Sequence, residues 1–146
     1  MAIFTLLAAA ALAQAAPAGW THAVPVAHGD GRATATYRAV PDISTRQIGM
    51  TAGTRPSSVR CTWTAEIAVE RALVHPGTGA SSVRQLAAPK TFKGSRPGDC
   101  TANRQNIESD IAARSDAINA HLVRVAEADQ RDLRAEIDTL APPTGR

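Results

Sequence analysis

From Ser58 to Val74 apolar and polar positions alternate. Val59, Cys61, Trp63, Ala65, Ile67 and Val69 fall on one side, with Arg60, Thr62, Thr64, Glu66 and Glu70 on the other and Ala68 the only apolar break as far as Glu70. A sustained period of two rich in β-branched residues predicts a strand with one face on a core and one in water, as in an antiparallel sheet. His22 to His28 is shorter and carries Pro25, which suits an edge strand. Gly29-Asp30-Gly31 is a turn signal, and Arg32 to Val40 returns from it as the second arm of a hairpin. Pro41-Asp42 reads as an interruption, followed by a shorter strand over Ile43 to Met50. His75 to Gly79 reads as loop, and Ser82 to Ala88 as a further strand that Lys90 to Lys93 extend past Pro89. Residues 20–96 thus read as a meander of four or five strands.

After Pro97-Gly98 the period changes. Cys100 to Leu140 contains no Gly or Pro, and Cys100, Ile107, Ile111, Ile118, Leu122 and Val125 fall on one stripe at helical spacing. Asp99 is placed to cap this helix, and Pro142-Pro143 to stop it. Asp110 with Arg114 and Glu127 with Arg131 form i,i+4 pairs in the favourable order. A straight helix of that length would span about 60 Å, longer than the ~35–40 Å width of a globule of this size. A straight helix would also bring Asp129 and Glu136 near the apolar stripe. A bend or break at Ala126–Asp129 is expected, sparing those carboxylates burial and giving Leu133, Ile137 and Leu140 a new seam.

The two periods meet at the cysteines. Cys61 lies on the core face of the clearest strand, and Cys100 on the core stripe of the helix. A Cys61–Cys100 disulfide is expected, pinning the first helical turn to the sheet. The fold class is α+β: an antiparallel sheet with one long carboxy-terminal helix, straight or bent, across one face.

The amino terminus reads as an address. The apolar run from Ile3 to Ala13 is too short to span a membrane and has the length of a signal-peptide core. Ala13-Gln14-Ala15 is a small-x-small cleavage pattern, so the cut is expected between Ala15 and Ala16. The expected organisation is a signal peptide over 1–15 and one α+β domain over 16–146, with no transmembrane segment in the mature chain. Periplasmic or secreted residence follows, and fits an even pair of cysteines.

Composition narrows the partners. The chain carries a net charge of +3, with Arg far outnumbering Lys and only 3% aromatic residues. The basic side chains are scattered along the strands without aromatic interleaving, so no nucleic-acid partner is expected.

Catalytic signals are thin. Of four histidines, His22, His28, His75 and His121, His28 with Asp30 in the hairpin turn and His75 in a later loop are the candidates for metal binding or acid–base work. Their spacing matches no zinc pattern. Ser57, Ser58, Ser81 and Ser82 lie beside turns without a nucleophile-elbow motif. Glu108, Asp110 and Asp116 read as a solvated helix face, and Gly77-x-Gly79 as turn chemistry. Trp20 is expected to pack against the sheet. No cofactor is expected. The pattern favours a small exported non-enzymatic protein that binds an envelope protein or polymer. The alternative is a secreted hydrolase or metal-binding protein using His28, Asp30 and His75.

Overall fold

The computed structural model describes residues 19–140 other than 30, 52, 55 and 76. The expected cleavage site at Ala15 and Ala16, and Asp30, therefore lie outside the described residues. Four strands, β1 (Thr21–His28), β2 (Gly31–Ile48), β3 (Arg60–Val74) and β4 (Ser81–Pro97), form an antiparallel sheet in the order β1-β2-β3-β4. Two helices follow, α1 (Arg104–Ala112) and α2 (Ser115–Leu140). The α+β fold class is as expected, with four strands.

The register explains which side chains turn inward. Tyr37 pairs with His22 on one side and Arg71 on the other, and Arg71 pairs with Arg84. Odd positions of β2 and β3 thus share one face. Ala33, Ala35, Tyr37, Ala39, Cys61, Trp63, Ala65, Ile67, Val69 and Leu73 are buried there. Ile107 and Ile111 of α1 and Ile118, Leu122, Leu133 and Ile137 of α2 close over them. Each fully buried aliphatic side chain contributes about 1.5–3 kcal/mol. On β2 the buried side chains are small apart from Tyr37: Ala33, Ala35 and Ala39.

Pro41 does not interrupt β2, which runs through it for 18 residues. The N–H of Ala39 donates to Trp20 O at 2.9 Å, on the β1 side. Donors alternate along a strand, so the Pro41 nitrogen faces that same side, beyond the point where β1 pairing ends at Thr21–Arg38. No ladder bond is lost. Pro89 is accommodated differently, in a bulge of β4 where the register against β3 shifts between Ile67 and Val69.

The helix breaks at Ala113–Arg114, not at Ala126–Asp129. There the Arg114 N–H donates to Ile111 O, three residues back, at 3.0 Å. The Ser115 hydroxyl donates to Ala112 O and accepts the Trp20 indole N–H at 3.0 Å. A tightened turn with its carbonyl satisfied by a side chain is a stable place to end one helix and begin another. Cys100 lies in the turn before α1 rather than within a helix. That turn is held by Ala102 N–H donating to Asp99 Oδ1 at 2.8 Å and by buried Asn103, whose Nδ2 donates to Pro97 O and Asp99 O. The Cys61–Cys100 disulfide is present, with its Cα atoms 4.9 Å apart.

Candidate functional site

Three groups of chemistry-bearing side chains stand out. The first is buried between sheet and α2. Period two carries past Val69 to Arg71, which therefore points into the core and is fully buried. Its Nη1 donates to Asp129 Oδ2, and its Nη2 to Glu136 Oε2. The Tyr37 hydroxyl donates to the same Asp129 Oδ2 at 3.0 Å, and the Ser82 hydroxyl to Glu136 Oε1. Burial pushes the Tyr37 hydroxyl well above its usual range, and the Asp129 carboxylate that it donates to pushes it further. These contacts correct the expectation that Asp129 and Glu136 avoid the sheet. Asp129 is buried and Glu136 half-buried, because Arg71 supplies the charge that makes their burial tolerable. The signal was available in the parity of Arg71 and the seven-residue spacing of the two carboxylates. Taken separately, neither pattern identifies the other.

The second group lies at the β1–β2 hairpin end. His28 and His75 come together with ring centroids 6.1 Å apart, edge to face. His28 Nδ1 lies 3.2 Å from Asp138 Oδ1 on α2, and His75 Nδ1 lies 3.4 Å from the Thr78 hydroxyl. His75 is buried, at the inward position after Leu73. A cleft of about 370 Å³ opens beside His28, between β1 and α2. Among the described residues no group of three or more His, Cys, Asp and Glu is placed to hold a metal ion.

The remaining candidates are spread apart. His22 sits on β1 opposite Tyr37. His121 Nε2 is 2.7 Å from Ala88 O, which can only accept, so Nε2 carries the proton. Ser57 Oγ accepts from Val59 N–H, and Ser58 Oγ bridges both backbone groups of Met50. Asp110 pairs with Arg96 through two hydrogen bonds rather than with Arg114. The Arg96 hydrogen bonds hold its carboxyl below the usual carboxylate range. Arg114 instead lies over the rings of Phe92 and Trp63, at 5.1 and 5.7 Å. Glu108 and Asp116 are exposed, as expected.

The third group is the distal half of β2. Beyond Ala39 no described element pairs with its β1 side, and Ile43, Ile48 and Met50 are 37%, 42% and 77% exposed. Beside Ile43 and Thr45 a cavity of about 390 Å³ runs under Ile107 of α1. No described helix is long and apolar enough to cross a membrane. The chain matches no protein-family model, curated protein or solved structure.

Proposed function

We propose that the chain is a small exported protein of the periplasm or extracellular space, non-enzymatic, which binds an envelope protein or polymer. Export is supported by the Ala13-Gln14-Ala15 cleavage pattern and by the Cys61–Cys100 disulfide, a bond at home in an oxidising compartment. Binding is supported by the distal half of β2, where apolar side chains and strand backbone lie open together. The most buried polar cluster, Arg71 with Tyr37, Asp129 and Glu136, is engaged in holding α2 to the sheet.

A photo-reactive amino acid in place of Met50 tests this in an intact exporting host. The expected result is a chain outside the cytoplasm, with an adduct through that position. A cytoplasmic chain, or one with no adduct, contradicts the reading.

The alternative, a metal-binding protein or hydrolase using His28, Asp30 and His75, has the approach of His28 to His75 in its favour, although the described residues hold no metal-binding group of three. Stoichiometric metal in the purified chain, lost on His28→Ala with His75→Ala, would replace the first reading.

A further inference from the structure

We propose that the open edge of β2 pairs with the same edge of a second copy, antiparallel and centred on Ser44, joining two sheets into one. This takes the exposed strand end as the binding surface of the proposed function, on which it rests, and names its occupant.

The backbone fixes which residues take part. Ala39 N–H points to the β1 side, so the N–H and C=O groups of Ile43, Thr45 and Gln47 point to the same side. Even-numbered groups face β3, as the Arg46 carbonyl does in accepting the Thr62 hydroxyl at 3.0 Å. Among the described residues the outward groups past Ala39 have no strand partner. Self-pairing must place odd residues opposite odd residues, which leaves few registers. Centred on Ser44, Ile43 faces the second copy's Thr45 in a hydrogen-bonded pair, twice over. Gln47 faces the second copy's Pro41, whose missing N–H ends the ladder. Shifting the centre to Ile43 would set Pro41 against Thr45 and forfeit bonds in mid-ladder.

Charge selects the same register. Asp42 lies directly opposite Glu66 of β3, a like-charge neighbour that destabilises a sheet. Among the described residues neither Asp42 nor Arg46 makes an ion pair. The two stand symmetrically about Ser44, so the centred register sets each Asp42 against the second copy's Arg46. Both fall in non-hydrogen-bonded pairs, where side chains come closest. Both copies of Ile43 then lie on the helix side of the joined sheet, beside the cavity under Ile107. Edges left open in this way are templates for strand addition.

Sedimentation of the full chain recovered from an exporting host tests the pairing. The expected result is a concentration-dependent dimer. Thr45→Pro removes an outward donor without touching the β3 ladder and should give a monomer with an unchanged circular dichroism spectrum. Arg46→Asp should weaken the dimer tenfold or more, and adding Asp42→Arg should restore it, which decides the matter if the proline variant does not fold. A chain monomeric up to about 0.5 mM, or a dimer indifferent to these substitutions, overturns the proposal. A monomer that still forms a Met50-position adduct with another envelope component overturns self-pairing alone; a monomer with no adduct overturns the binding function as well.

Discussion

Arg71 of β3 donates to Asp129 of α2 at 2.5 Å, joining residues 58 positions apart in the core of the molecule. The guanidinium is fully buried, and it also serves Glu136 one helical heptad on. A buried charge is tolerated only when paired, so the sheet and α2 each require the other.

Arg71→Met should therefore cost about 3–5 kcal/mol, because it leaves Asp129 charged and without its cation. Adding Asp129→Leu and Tyr37→Phe should recover much of that loss, since apolar residues of similar size often replace a buried ion pair at little cost. Urea midpoints of the single and triple variants check this. A triple variant less stable than the single one would contradict it.

Tyr37 is the only tyrosine, which makes its ionisation directly visible. Its folded hydroxyl is raised above the ordinary value of 10.0 by burial and by Asp129. The stabilisation is thus fully present below the unfolded value and is lost as pH rises beyond it. Ultraviolet absorbance should show no tyrosinate in the folded protein at pH 10–11, and its appearance only together with unfolding. Ionisation near 10 with the fold intact would show that Tyr37 is not buried against a carboxylate.

Gly94 of β4 faces Trp63 so closely that a Cβ there would lie 2.5 Å from the indole ring. Gly94→Ala should destabilise by roughly 1–3 kcal/mol, as overpacking of a core does. Trp63 fluorescence should shift as the ring is displaced, whereas Gly77→Ala, in the exposed turn before β4, should leave it unchanged.

Much of this architecture is legible in the sequence. The alternation around Cys61, Trp63 and Ile67 gives β3 and its faces, and helical spacing gives Ile107, Ile111, Ile118 and Leu122 as the covering stripe. Pro41 misleads because a proline reports a missing donor but not the side that donor would have faced. The break at Ala113–Arg114 is silent because Trp20, Ser115 and Ala112 create it together, and they are distant in sequence or ordinary in type. Asp129 suggests a bend only while its partner is sought on its own helix. Among the candidate site residues, His28 and His75 are brought together by the sheet register, and the burial of His75 depends on β3 continuing inward past Leu73.

The disulfide closes a loop between residues 39 apart, which corresponds to about 4 kcal/mol drawn mainly from the unfolded chain. Cys61→Ser with Cys100→Ser should lower the melting temperature by about ten degrees or more. Calorimetry on the oxidised and doubly substituted proteins checks this, and equal melting temperatures would show that packing alone joins α1 to β3.

Intact mass under non-reducing conditions, on protein recovered from an exporting host, tests the account most directly. The exported, disulfide-linked chain should have the mass of residues 16–146 less the two thiol hydrogens, and should take up no alkylating reagent until reduced. A product that retains residues 1–15 and reacts with two equivalents of thiol reagent would contradict both the export and the bond that joins sheet to helix.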